Sequence, residues 1–311
     1  MAPAPHPHGT QARYGVPRAA IVKVPEVTLY FWIVKLLTTA MGEAISDFLV
    51  NDWNKYLGVL LGFVVFAVAM FFQFRSTVYS TWRYWLAVSA VAVFGTMCAD
   101  VLHKVIGLPY TVSFMLYAIL LAATFTAWYR SERTLDIHSV NTRRREVFYW
   151  LTVIFTFAMG TAVGDLTAMT LNLGYLASAF MFLAAICLPL IAWRLGASPV
   201  ATFWIAYVLT RPAGASFADY FGMPKDISGF GLGHGPVSAV LVILVAVGIW
   251  CLKASGKDAQ QPQVAAPEVT PNHYSGAGYG GYPQHGYGQQ AYEQHGYRQP
   301  DMYQHEDYRQ P

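Results

Sequence analysis

Charge is the scarcest resource of this 311-residue chain: Asp, Glu, Lys and Arg together make up 12% of it, about half of what a soluble domain carries. With 55% hydrophobic residues and a mean hydropathy of +0.35, that shortage excludes an ordinary soluble globular enzyme. Cysteine is nearly absent too. Cys98, Cys187 and Cys251 sit in apolar runs without CxxC or Cys/His spacing, which excludes a disulfide framework and a thiolate metal site and leaves three small buried hydrophobes. No GxxxxGK[ST] cradle, GxGxxG turn, HExxH or GxSxG elbow occurs, and no soluble basic domain exists to hold nucleic acid. The reading is therefore not an enzyme, with no cofactor and no nucleic-acid partner. Residues 1–23 hold no apolar run ending in a small-residue cleavage site, so the first hydrophobic segment is expected to stay as a span.

What the chain does have is long apolar stretches, at roughly 24–50, 56–74, 82–107, 110–129, 146–171, 174–193, 199–222 and 234–253. Each approaches the ~20 residues an α-helix needs to cross ~30 Å of hydrocarbon. The expected fold class is an all-α membrane protein of eight transmembrane helices, because only helices satisfy their own amides in lipid and no barrel-like alternation is present. With the N-terminus inside, twelve Lys and Arg residues fall in inner connections and three (Lys55, Lys104, Lys225) in outer ones. The expected location is the cytoplasmic membrane of a bacterium, with both termini in the cytoplasm. Residues 1–23 form an N-terminal tail and 24–254 the membrane domain. Residues 255–311, rich in Gln, Tyr, His and Gly with a ten-residue repeat (Gln284-His285-Gly286-Tyr287, Gln294-His295-Gly296-Tyr297), form a disordered tail able to capture metal weakly or to self-associate.

The membrane domain repeats internally. Its odd-numbered helices read FWIVKLLTTAMGEAISDF, YWLAVSAVAVFGTMCADV, YWLTVIFTFAMGTAVGDL and FWIAYVLTRPAGASFADY, aligned without gaps. An aromatic-Trp pair opens each copy (Trp32, Trp85, Trp150, Trp204). A Gly follows ten residues later (Gly42, Gly95, Gly160, Gly214), and an Asp five after that (Asp47, Asp100, Asp165, Asp219). Two helices per unit give four repeats of one orientation, about 24–74, 82–129, 146–193 and 199–253. Parallel repeats bring equivalent helices around a common axis, so the odd helices are expected inside and the even ones toward lipid; two side-by-side pairs of repeats are the alternative.

Four tandem two-span repeats with a recurring Trp and a Gly-[Thr/Glu]-x-x-x-Asp core resemble the bacterial membrane-protein family defined only as a repeat of unknown function, domain of unknown function 347. The resemblance covers about residues 24–253. Trp32, Trp85, Trp150 and Trp204 match the family's tryptophan, and Gly95-Thr96 to Asp100 and Gly160-Thr161 to Asp165 match its core. Glu43 and Ala215 replace the Thr. The resemblance implies a fold and a membrane location and supplies no activity.

Each column has a physical meaning. The Gly and the small residue four positions on let helices approach closely in lipid. The Trp rings, near the cytoplasmic end, read as head-group anchors or packing, and Tyr56, Tyr110 and Tyr175 as an outer aromatic belt. Fifteen residues after the Trp, about 22 Å along a helix, the four Asp side chains share one layer toward the outer side. Glu43, Thr96 and Thr161, four residues earlier, share their face. Embedded acids exceed the embedded bases Lys35 and Arg211 by three, and so many like charges in a low-dielectric layer require protons or a cation. Lys35 is expected to pair with Asp47 or an acid of another repeat. Arg211 is expected to partner an acid, beside a helix that Pro212 kinks. His103 and His234 read as exposed loop positions. Two functions stand: binding or transport of a small cation or proton-coupled solute through these carboxylates, with hard ions such as Mg²⁺, Ca²⁺ or Mn²⁺ favoured; or a scaffold in which the same residues only pack helices and the tail recruits partners. The metal itself, the oligomeric state and the transport direction have no signature in the sequence.

Overall fold

The computed structural model describes residues 22–258; the terminal tails read from the sequence lie outside the described residues except at their inner edges. Eight long helices fill that span: α1 Leu29–Asp47, α2 Lys55–Arg75, α3 Thr81–Asp100, α4 Tyr110–Glu132, α5 Arg143–Asp165, α6 Tyr175–Arg194, α7 Pro199–Gly222 and α8 His234–Ser255. No strand occurs among the described residues. Six of the eight are long and apolar enough to cross a membrane. The remaining two, α1 and α7, carry Lys35, Glu43, Asp47, Arg211 and Asp219, which lower their hydropathy. Start signals are local. Thr28, Asn54, Thr142 and Ser198 each offer a side-chain oxygen to the first free amides of the helix that follows. Pro199 opens α7 where its missing N–H has no cost.

Helices α1, α3, α5 and α7 form a closed ring, each touching the next and α7 returning to α1. The even helices lie outside it, and each packs on the odd helix of the following repeat: α2 on α3, α4 on α5, α6 on α7, and α8 back on α1. Burial divides accordingly. Of the apolar stretches of the even helices 22–28% is buried, against 61–67% for α3 and α5, which settles the choice between a ring and separate pairs in favour of the ring. The outward faces of the even helices are apolar, with Leu60, Phe72, Ile119, Phe180, Leu188, Ile243 and Trp250 exposed. Cys187 and Cys251 belong to that exposed surface instead of the core, and Cys98 is half-buried.

The ring is built from one contact repeated four times at each level. At one end the opening aromatic of each repeat meets the Trp of the next: Phe31 with Trp85 at 5.5 Å, Tyr84 with Trp150 at 5.7 Å, Tyr149 with Trp204 at 6.2 Å, and Phe203 with Trp32 at 5.6 Å between ring centres. Trp85, Trp150 and Trp204 are therefore buried, and of the two readings of this column, head-group anchoring or packing, these three follow packing. Tyr175 is buried as well, outside the aromatic belt the sequence suggested. Midway, each repeat's Gly faces the residue three before the next repeat's Gly: Gly42 faces Ala92, Gly95 faces Phe157, Gly160 faces Arg211, and Gly214 faces Thr39. A side chain at any of these four glycines would push two ring helices apart.

In three of the four repeats α-helical geometry stops at the aspartate. Asp47, Asp100 and Asp165 are the last residues of α1, α3 and α5, and a π-helical turn follows each, at Phe48–Trp53, Val101–Val105 and Leu166–Thr170. Such turns are rare and concentrate at functional sites. The fourth repeat departs: α7 continues through Pro212 and past Asp219 to Gly222. At the opposite end the fold reaches slightly past both tail boundaries read from the sequence. The Glu26 N–H donates to the Asp258 carbonyl at 3.1 Å, and Tyr79 and Thr81 donate to the Asp258 carboxylate. Burial and that carboxylate push the Tyr79 hydroxyl well above its ordinary pKa, so it stays a donor.

Candidate functional site

The repeat places chemically different side chains at equivalent positions, and the ring turns them toward one another. Position Gly+1 supplies Glu43, Thr96 and Thr161 from α1, α3 and α5; in α7 it is Ala215, whose methyl leaves that quadrant open. Arg211, one turn earlier on α7, reaches into it. Its guanidinium donates to Glu43 Oε2 at 2.5 Å, to Thr161 Oγ1 at 2.7 Å and to Thr96 Oγ1, and through its other terminal nitrogen to the Thr39 carbonyl at 3.1 Å. Thr96 and Thr161 also face Glu43 Oε2, at 3.3 and 3.2 Å. All four ring helices thus meet at one buried ion pair, with Arg211 0% and Glu43 2% exposed. The two hydroxyls and the glutamate that the sequence assigned to the aspartate layer form a level of their own, closed by Arg211.

Lys35 does not fill the role expected of it. Its Nζ has no hydrogen-bond partner and no carboxylate beside it among the described residues; it sits over the rings of Phe157 and Tyr207, at 4.1 and 4.2 Å. Arg211 lies over the other part of the same environment, 5.2 Å from the Phe157 ring. The two embedded bases are thus split: one neutralises Glu43, and the other is held by aromatic faces.

The aspartate level is the more open chemistry. Asp47 Oδ1 accepts from Asn51 Nδ2 at 2.7 Å and from Lys104 Nζ at 2.9 Å, and Lys104 also meets Asp100 Oδ1 at 3.1 Å. Lys104, counted in the sequence as an outer-loop charge, is therefore the bridge between two repeats' aspartates. His234 is likewise not the exposed loop residue it resembles. It is 7% exposed; its Nδ1 meets Asp52 Oδ2 at 3.1 Å, while Nε2, without a hydrogen-bond partner, lies 3.7 Å from Asp47 Oδ2. His103 keeps a local role, hydrogen-bonded to the Leu108 carbonyl and stacked on Tyr110.

Two aspartates keep unmet oxygens. Asp219 Oδ1 and Asp100 Oδ2 are buried with no hydrogen-bond partner, an expensive state for a carboxylate with nothing to bind. One oxygen each from Glu43, Asp47 and Asp219 lies within 4.8 Å of the other two, a spacing that can close on a metal ion. Asp165 is buried at the end of α5 but belongs to neither the triad nor the Lys104 bridge. Of the residues read from the sequence, Glu43, Thr96, Thr161 and Arg211 are thus assembled at one level, and Asp47, Asp219 and Asp100 at the next.

Comparison with known proteins agrees with the internal repeat. The family described as Repeat of Unknown Function (DUF347) matches four times, over residues 30–79, 83–134, 148–196 and 202–258, which is more than half of the chain. No curated protein and no solved structure gives a match.

Proposed function

The chain belongs to the DUF347 repeat family, and from the ring just described we propose that it binds and passes a small cation or protons along the ring axis, with the carboxylates of Asp47, Asp100, Asp165, Asp219 and Glu43 as the path. In this reading all eight helices span the membrane: α1 and α7 lie in the ring, where their charged residues face helices and not lipid. The excess of Lys and Arg in the connections at the Trp end sets that end in the cytoplasm, in a bacterial cytoplasmic membrane. The aspartate level then lies toward the outer face.

The observation that carries the proposal is the Asp219 carboxylate, 2% exposed, with Oδ1 unpaired and an oxygen close to Glu43 and Asp47. A network serving only to hold helices satisfies its buried acceptors, because each unmet one costs stability. The Glu43–Arg211 level, joined through Glu43 Oε2 to Arg211 and two threonine hydroxyls, favours the second reading, a packing scaffold.

Asp219→Asn separates the two. It keeps the shape and removes the charge of a group that pairs with nothing, so folded yield in detergent should stay near wild type while cation-driven or proton flux into proteoliposomes falls at least tenfold. Unchanged flux, or collapse of the fold with no flux phenotype, would favour the scaffold.

A further inference from the structure

We infer that the triad Glu43, Asp47 and Asp219 is a site for a hard divalent cation, with His234 at its rim and Lys104 as a tethered competitor; this deepens the cation-path reading and rests on it. Geometry comes first. Three oxygens no more than 4.8 Å apart can all be reached from a common point at about 2.8 Å or less, close to the 2.3–2.6 Å of calcium–oxygen bonds and within a small inward movement of magnesium or manganese lengths. The oxygens come from two neighbouring ring helices, α1 and α7, so an ion there would tie the first repeat to the last.

An independent feature points to the same spot. His234 is more than nine-tenths buried, its Nδ1 is engaged by Asp52, and its Nε2 is unpartnered and aimed at Asp47 Oδ2 from 3.7 Å. An imidazole fixed through one nitrogen and left free at the other is the arrangement in which histidine serves a metal. Three carboxylate oxygens with a nearby imidazole suit an oxygen-preferring divalent ion such as Mn²⁺ better than a soft ion needing thiolates.

Charge selects divalent over monovalent. Glu43, Asp47, Asp100, Asp165 and Asp219 face only Arg211 and Lys104 as paired cations, since Lys35 is held by aromatic rings. One divalent ion removes most of that excess and a monovalent ion little of it. Asp47 is then contested. Its Oδ1 already holds Lys104, which also spans to Asp100, so an entering ion competes with an ammonium on a flexible stem that can withdraw to Asp100.

The test uses the purified full-length chain in detergent and Mn²⁺ alone, titrated while free Mn²⁺ is read by its paramagnetic resonance. One equivalent of Mn²⁺ should bind in an Asp219-dependent manner, which separates it from any held by the C-terminal histidines. Affinity should fall at least tenfold in Asp219→Asn and rise at least tenfold in Lys104→Met. Thermal stabilisation of the wild type by Mn²⁺, absent in Asp219→Asn, gives a second readout if Lys104→Met folds poorly. Folded protein that takes up no Asp219-dependent Mn²⁺ would overturn the site. Proton or monovalent flux persisting in that case would leave the path standing without it, whereas Mn²⁺ binding without any flux would keep the site and end the path.

Discussion

Replacing Glu43 with Gln is expected to destabilise the protein by about 3–5 kcal/mol, because it strands the Arg211 guanidinium in the centre of the ring. Arg211 is wholly buried, and its two terminal nitrogens donate to Glu43, Thr96, Thr161 and the Thr39 carbonyl while Nε has no partner. A neutral amide cannot compensate the charge of a guanidinium that is 0% exposed. Arg211→Met alone should cost a similar amount, since it leaves the Glu43 carboxylate with two hydroxyls and no cation. The double variant Glu43→Gln/Arg211→Met should recover most of the loss, as buried pairs replaced on both sides commonly do. The melting transition in detergent, followed by size-exclusion of the heated sample, reads all three. Additive losses in the double variant would mean that the two side chains do not act as a pair.

Gly214→Ala should cost about 1–3 kcal/mol and Gly214→Leu should abolish folded yield, because α7 and α1 touch there through backbone. A Cβ at Gly214 would collide with Thr39, whose own Cβ stands 2.8 Å away and whose hydroxyl binds the Thr210 carbonyl, and with the Ala40 amide nitrogen at 3.0 Å. The flexible end of a long side chain could move aside; these atoms cannot. Gly164→Ala is the matched control. It lies in the same kind of small-residue position on α5, but the nearest atoms to its added Cβ are at 3.5–3.8 Å, which is ordinary contact. Equal losses at Gly164 and Gly214 would show that the close crossing is not the cause; helix propensity by itself favours Ala at both positions.

The repeat was legible because it is written in residue identity at fixed spacing, and the ring follows from four equivalent helices of one direction. Partner choice within the ring was not. Nothing in the order of the chain says that α2 covers α3 and not α1, or that Arg211 lands four residues out of step beside Glu43. Loop-like positions misled most. Lys104 sits four residues after Asp100, a spacing that signals an ion pair, yet counting loop charges for topology hid it; the π-helical turn carries it inward. His234 follows a Gly-rich stretch that reads as a connection, though it is the first residue of α8 and faces the acids. The Trp column left head-group anchoring and packing both open because amphipathic rings near a span's end serve either, and cyclic contact with the preceding repeat's aromatic buries Trp85, Trp150 and Trp204.

The closing of α8 onto α1 also constrains how the protein is made. Helix α1, bearing Lys35, Glu43 and Asp47, emerges from the ribosome well before the neighbours that shield it on one flank, α7 and α8. Until they arrive, this charged segment of the ring has, of its two ring neighbours, α3 alone beside it. Any truncation before residue 199 therefore deprives α1 of Arg211, the cation that neutralises its glutamate.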